Sequence, residues 1–474
     1  MASTNNNVST TATCPGKVLI LGGYAILERP NSGLVLAVDS RFRSSATWED
    51  DVVEPGSDPK VEIFSKQWGG WKGSYRFSEK EGLVPDASST ERNAYVEKPA
   101  SWALYCATRE KPFPPNKSLK IVLLADNDFY SQQENLKALG LKRTSEGLRA
   151  LPPFSEVRNK SAKTGLGSSA AMISSLVSCI LAHVADNRDV EYSHRIAQLC
   201  HAAVQGKIGS GFDVCAAFYG SMRYVRYDAD PLGPCLSTMS SKGSSFAAGA
   251  KDLHEYSKKD SAWNHVVEPS ALPSGIELLC ADVAGGSETP SMSKKILDWR
   301  SKSDGTVWNT LISRNDIARG ALDALRQAAR DASEYELTVN RLSTQKSSEW
   351  EPFNDVAKLF VACHKAFLNV RDSLRKVGEL ADVPVEPSEQ QALCDATLSH
   401  VPGVLACGVP GAGGFDAVFA LVLGKDAAKQ LETFWENYSS SSGESKICPL
   451  LLRESKGNAG VLITVDVDVK RQKN

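Results

Sequence analysis

Apolar positions recur with two periods along this chain of 474 residues, and the periods mark out its elements. Residues 17–21 and 33–38 are short apolar runs parted by turn formers, a pattern that predicts strands. Residues 120–125, rich in Leu and β-branched side chains, predict a further buried strand, and 95–107 predicts a helix. Ile196, Leu199, Cys200, Ala203 and Val204 recur at helical spacing within 192–205. Residues 218–227 and 276–283 predict strands. Val356, Leu359, Phe360, Cys363, Phe367, Val370, Leu374 and Val377 then recur three or four apart, the core-facing stripe of a long helix. Val461, Ile463, Val465 and Val467 occupy every second position, which predicts a half-buried strand closing a sheet.

Polar stretches separate these elements. Residues 49–60 are charged and carry Pro and Gly, and 137–158 is a polar, Pro-containing connection. Residues 237–261 are rich in Ser, Lys, Gly and Asp, which predicts a surface excursion or a partly disordered insertion, and 438–445 is a Ser-rich loop. Residues 1–12, rich in Ser, Thr and Asn with no apolar core, predict a flexible tail rather than a secretory signal. The composition shift places a domain boundary near residue 230, giving domains at 13–230 and 231–474. Strands mixed with segregated helices predict α+β halves rather than a doubly wound sheet.

Composition narrows the function classes. A net charge of −2 with no long basic run argues against a nucleic-acid partner. The 11 cysteines include no Cys-x-x-Cys pair and sit mostly in apolar runs, as reduced core residues of an intracellular protein do. The seven histidines show no zinc spacing and read as surface or satisfied core residues. No uninterrupted apolar stretch reaches membrane-spanning length, and the terminal Arg-Gln-Lys-Asn is not a peroxisomal tripeptide. The expected location is the cytoplasm, with no membrane partner and a monomer as the default.

Three segments carry candidate chemistry. Residues 163–171 read Lys-Thr-Gly-Leu-Gly-Ser-Ser-Ala-Ala and lead into an apolar run at 170–183 suited to a buried helix. Two glycines permit a tight turn and close approach of a ligand, and the free N–H groups of a helix start favour phosphate. No Lys follows the second glycine, so this is not a P-loop; a helix start in which small residues merely pack would fit as well. Near the N-terminus, Cys14-Pro-Gly-Lys17 places a lysine at the mouth of an apolar strand that runs to Gly22-Gly23-Tyr24. Near the C-terminus, Gly408-Val-Pro-Gly411-Ala-Gly413-Gly414 runs into an apolar strand at 418–423.

In this order the three segments resemble the GHMP kinase superfamily. Gly22-Gly23-Tyr24, the run Asp126-Asn-Asp-Phe-Tyr-Ser131 and the run Gln205-Gly-Lys-Ile-Gly-Ser-Gly-Phe-Asp213 are similar to its phosphomevalonate kinase branch. The resemblance spans about residues 13–469. It implies an N-terminal half with the ribosomal protein S5 domain 2-like fold, a ferredoxin-like C-terminal half, and a site in the cleft between them. It also implies ATP and Mg2+ as cofactors and phosphoryl transfer to 5-phosphomevalonate. Mevalonate kinase is the nearest alternative; a non-catalytic ligand sensor with the same fold is the alternative of another class.

The roles follow from the matching positions. Lys17 and Asp213 are the expected catalytic pair, with Asp213 orienting Lys17 rather than removing a proton. A solvated lysine and a helix N-cap are the bland readings of the same two residues. The nucleotide is expected along Lys163, Gly165, Leu166, Gly167, Ser168, Ser169 and Ala170, with Ser168 or Ser169 reaching Mg2+. The acceptor is expected near Lys17, Tyr24, Lys207, Ser210, Ser287, Thr289, Gly411 and Gly413. Residues 127–131 are expected beside the adenine. Where mevalonate kinases carry a metal-binding carboxylate, eleven residues before the aspartate, this chain has Ala202, and 192–212 contains no acidic residue. Trp68 and Trp71 are expected to pack rather than to form a ligand platform.

Overall fold

The computed structural model describes residues 7–51, 56–87, 89, 91–158, 162–241, 243–283, 289–415, 417–438, 447–457 and 460–468. Its first strands are β1 (Asn7–Leu21), β2 (Ser32–Asp50), β3 (Lys60–Ser65), β4 (Trp71–Ser78), β5 (Gly82–Pro85), β6 (Lys117–Ala125), β7 (Met222–Val225) and β8 (Val266–Pro269). The remainder are β9 (Ile276–Val283), β10 (Val404–Gly408), β11 (Ala417–Leu423), β12 (Ile447–Pro449) and β13 (Leu462–Asp468).

One sheet runs β13-β1-β2-β6-β3-β4-β5, with β7 on β2 and β8 on β7; the other runs β10-β11-β9-β12. Among the described residues every strand pairing is antiparallel except that of β3 with β6. Within the C-terminal half the strand order is fourth, first, third, second, which is the ferredoxin-like arrangement the resemblance implied. The fold is α+β, as expected.

Several expectations are corrected. Residues 7–12 are not a tail: they form the first part of β1 and pair with β13, from Asn7↔Asp468 to Ala12↔Ile463. Polar side chains do not prevent this, because Thr is a good strand former and alternate positions face the core. Residues 237–261 are not an irregular excursion, since helices Gly233–Ser240 and Phe246–Ser257 bury Leu236, Met239, Ala250 and Leu253 against the first half. With β8 also in the first sheet, the change from one sheet to the other falls after Pro269 rather than near 230. Phe218 and Tyr219 end a helix, Phe212–Tyr219, and the strand expected there begins only at Met222. The Ser-rich run at 438–445 lies outside the described residues apart from Tyr438.

The Ser168–Ala185 helix has the length and apolar composition to cross a membrane, contrary to the expectation of none, but 89% of it is buried inside the protein. It packs on β1, β2 and the helix Ala94–Glu110. An apolar helix all round is what a central position demands. The periodic stripe at 356–377 lies on the helix Asp355–Ala381, as expected. All 11 cysteines are free and buried.

The halves are clasped at the end of β1. The Tyr24 hydroxyl donates to the Ala412 carbonyl at 2.5 Å, the Gly22 N–H to Asn315 Oδ1 at 2.8 Å, and the Gly411 N–H to the Leu19 carbonyl at 3.1 Å. Ser131 Oγ donates to Asp282 Oδ2 at 2.6 Å farther along the same seam.

Candidate active site

Lys17 owes its direction to the proline two residues before it. Pro15 has no N–H for the β1–β2 ladder, and the register shifts between Pro15 and Lys17. Such a bulge re-aims the next side chain. The Lys17 N–H then donates to the Leu166 carbonyl at 2.9 Å, and its Nζ to the Gly165 carbonyl at 2.7 Å. The glycine-rich loop and the strand mouth are therefore tied twice, once through backbone and once through the ammonium.

Gly167 takes the left-handed conformation (φ +76°) that ends the loop and starts the helix Ser168–Ala185. A Cβ there would lie 3.1 Å from Lys17 Cε and 3.6 Å from Asp213 Cβ, so both catalytic candidates close on this one glycine. No side chain caps the helix start, and no acidic residue stands in its first turn. Its leading N–H groups are left available to an anion, as the dipole favours. Burial pulls the Lys17 ammonium below its ordinary pKa, and the Asp213 carboxylate partly opposes that pull.

Asp213 lies in the first turn of Phe212–Tyr219, behind the N-cap Gly211 rather than at the cap itself. Its carboxylate does not form an ion pair with Lys17 within 4.0 Å. Oδ1 accepts from the Val214 N–H at 3.0 Å, and Oδ2 is 3.9 Å from His201 Nε2. The Lys17 ammonium instead sits over the Phe212 ring, 5.4 Å from its centre.

His201 is the residue that sequence reasoning passed over. It is 4% exposed, and its Nε2 is 3.1 Å from Ser169 Oγ and 2.9 Å from Gln205 Nε2. Burial holds the imidazole below its usual pKa, with Asp213 pulling the other way. Its one sequence signal is its place beside Ala202, the position where related kinases carry a carboxylate.

Ser168 is buried and lines one cavity together with Tyr130. A cavity of about 280 Å3 opens beside it, lined by Trp68, Asn93, Tyr95, Tyr130, Lys163, Ser168, Ser169 and Met172. Lys163 is exposed and lies 6.0 Å above the Tyr95 ring. Trp68 packs against the core, as expected, and also lines this cavity, whereas Trp71 is buried in the core. A larger open groove between helices Ser388–His400 and Gly424–Asn437 contains none of the phosphate-loop residues.

The other expected positions divide. Lys207 is exposed on the loop before Asp213, and the Ser210 carbonyl accepts from Tyr224 Oη at 2.8 Å. Arg226 holds the same loop through the carbonyls of Gly209 and Ile208, a role the sequence did not reveal. Tyr24 is 2% exposed, and its hydroxyl donates to the Ala412 carbonyl, a tether between the halves. Gly411 and Gly413 lie in the loop against β1 and Val385, and a Cβ on Gly413 would be 2.0 Å from the Val385 carbonyl oxygen. Ser287 lies outside the described residues, and Thr289 is described only as the first residue of the helix Thr289–Lys302.

His194, Cys215 and His265 bring one ligand atom each within 4.8 Å of one another, a grouping that no sequence spacing announced. A hydrogen bond between Cys215 Sγ and His194 Nε2 at 3.1 Å accounts for the closest contact.

Known proteins resemble this chain in both halves. The family model for the GHMP kinases N terminal domain matches residues 143–221, and that for GHMP kinases C terminal matches 362–440. The peroxisomal phosphomevalonate kinase of Arabidopsis thaliana is 32% identical, covering 94% of this chain and 95% of that protein. A phosphomevalonate kinase of Aspergillus fumigatus is 31% identical over 91% of both chains. Among solved structures, a Lin0012 protein from Listeria innocua superposes with TM-score 0.62 at 18% identity, covering 96% of this chain and 99% of that one. Streptococcus pneumoniae phosphomevalonate kinase, in complex with phosphomevalonate and AMPPNP, superposes with TM-score 0.58 at 14% identity, covering 94% and 98%. Both structural likenesses speak to the fold.

Proposed function

The chain belongs to the phosphomevalonate kinase family of the GHMP kinases, and from that premise we propose that it transfers the γ-phosphoryl group of ATP to 5-phosphomevalonate. The products are 5-diphosphomevalonate and ADP. The observation that carries the reading is the convergence of an uncapped helix start, Lys17 and Asp213 on Gly167.

The reaction joins two polyanions, so positioning and charge neutralisation are the main demands. An oxygen of the acceptor phosphate bonds to the γ-phosphorus as the bond from that phosphorus to the bridging oxygen of ADP breaks. A phosphate monoester has its second pKa near ~6, so at neutral pH the attacking oxygen needs no base. In this reading the Ser168–Ala185 helix start holds the nucleotide phosphates, and Lys17 lies against the transferred group. Asp213 keeps the local field favourable to the Lys17 charge. The aromatic cavity with Trp68 and Tyr95 takes the base. Lys207 and the Ser210 loop receive the acceptor phosphate.

The residues suit Mg2+ in donor type: the Ser169 hydroxyl and the Asp213 carboxylate both lie within 4 Å of His201 Nε2, and Ser168 adjoins them. Hard oxygen donors with few carboxylates match a cation that keeps water and phosphate ligands. When bound, Mg2+ offsets the negative charge of the phosphates. Buried free thiols suit a reducing compartment, and we place the enzyme in the cytosol as a monomer, to be checked by a fluorescent fusion and light scattering.

The test is an ADP-release assay offering mevalonate, 5-phosphomevalonate and 5-diphosphomevalonate with Mg2+-ATP. Turnover of the monophosphate alone is expected; turnover of mevalonate or of the diphosphate overturns the acceptor assignment. Asp213→Asn separates the roles of that carboxylate. A loss within roughly tenfold is expected for a field effect, and a loss beyond ~10³ that high pH rescues would mean base catalysis.

A further inference from the structure

We propose that His201 is a positioning residue: its Nε2 accepts the proton of the Ser169 hydroxyl and thereby turns the Ser169 oxygen lone pairs toward a cation on the nucleotide phosphates. The proposal rests on the kinase reading above. It also decides between the two serines that the sequence left equivalent.

The argument is one of proton accounting. Gln205 Nε2 lies 2.9 Å from His201 Nε2, and an amide nitrogen only donates. His201 Nε2 in this arrangement is therefore an acceptor and carries no hydrogen. Ser169 Oγ, 3.1 Å from the same nitrogen, is then a second donor that shares this lone pair with Gln205 in a three-centre hydrogen bond. A serine hydroxyl has one proton. Once that proton points at the imidazole, the oxygen cannot donate to a phosphate and offers only lone pairs to the open side of the site. That is the state a metal-ligating hydroxyl needs. Ser168 differs, because it is 5% exposed and the described hydrogen bond to His201 is made by Ser169.

The tertiary setting supports this division. His201 belongs to the helix Val190–Gln205, whereas Ser169 opens the helix Ser168–Ala185, so the contact exists only where the two helices pack. At 4% exposure, the imidazole has no solvent partner to compete with the hydroxyl. Asp213 Oδ2 stands 3.9 Å from the same Nε2, beyond hydrogen-bond length, which leaves that carboxylate oxygen free to face the cation from another side. An outer partner that fixes a ligand's orientation commonly changes metal affinity by about 10–100-fold when removed.

The experiment compares AMPPNP binding by calorimetry, with Mg2+ and in excess EDTA, for the intact chain and for His201→Ala and His201→Gln. The native chain should bind more tightly with Mg2+. His201→Ala should lose roughly tenfold or more of that metal-dependent gain while its affinity in EDTA stays within about twofold. His201→Gln puts an amide oxygen near the Nε2 position and should restore most of the gain. Ser169→Ala should lose the same gain, and His201→Ala with Ser169→Ala should lose no more than either alone, because the two act through one oxygen. Equal weakening with and without Mg2+, or additive losses, would overturn the positioning role. If His201→Ala does not fold by circular dichroism, the Gln and Ser169 variants still decide. A native chain that binds no AMPPNP would instead overturn the kinase reading itself.

Discussion

Replacing Gly167 by Ala isolates what holds Lys17 in place. The native φ of +76° costs an L-residue about 1–2 kcal/mol. The new Cβ would also stand 3.1 Å from Lys17 Cε and 3.4 Å from Cγ. Lys17 cannot retreat freely, because its Nζ is fixed to the Gly165 carbonyl at 2.7 Å and lies over the Phe212 ring. Gly165→Ala is the matched control: its φ is +77°, yet a Cβ there meets nothing within 4 Å. Both variants should lose about 1–2 kcal/mol in urea unfolding, since the backbone strain is the same. Only Gly167→Ala should lose kcat heavily in the ADP-release assay, by roughly 10–100-fold, the usual effect of displacing a positioned group by a fraction of an ångström to one ångström. Gly165→Ala should stay within about threefold in kcat and register mainly in the KM for ATP. Equal kcat in the two folded variants would refute the claim that contact with Gly167 sets the Lys17 position.

Arg371→Ala should cost about 3–5 kcal/mol in urea unfolding, because it leaves Glu386 buried without its partner. The two side chains are only 8% and 1% exposed, and Arg371 Nε donates to Glu386 Oε1 at 2.7 Å. Replacing Arg371 by Met and Glu386 by Leu together should cost less than the single change; a larger cost would contradict the reasoning. Burial pulls His183 down to about 4, so the unfolded chain binds a proton that the folded one refuses between about 6.5 and about 4. Stability contributed by this group is therefore lost as pH falls through that window. His183→Phe should remove about one proton from the slope of stability against pH there, and an unchanged slope would refute it. His194, His201, His254, His265 and His364 are shifted in the same direction and keep the rest of the acid limb.

Periodicity located the elements whose environment is uniform along their length. The stripe at 356–377 became one face of Asp355–Ala381, and residues 276–283 became β9 with the same limits, since β9 is paired on both sides and buried at all but Glu277 and Val283. It failed where burial changes within a segment. Residues 7–12 look like a tail because their polar side chains face solvent on one side of a strand, and only β13, more than 450 positions away in sequence, supplies the pairing. The helices in 233–257 were hidden for a similar reason: each buries only a few apolar residues beneath a Ser- and Lys-rich surface.

The sequence by itself determined the chemistry on offer: a glycine-rich helix start, a lysine after Pro-Gly at a strand mouth, and an aspartate on a second glycine loop. Those are local properties, set by φ preferences, missing donors and helix termini. Which of them meet was decided by packing alone. Tyr24, expected near the acceptor, ties the halves together through its hydroxyl, while His201, read as a surface or satisfied core residue, reaches Ser169 and comes within 3.9 Å of Asp213. The physical reason is that a hydrogen bond between side chains 32 positions apart depends on how helices cross, and no spacing along one of them records that crossing.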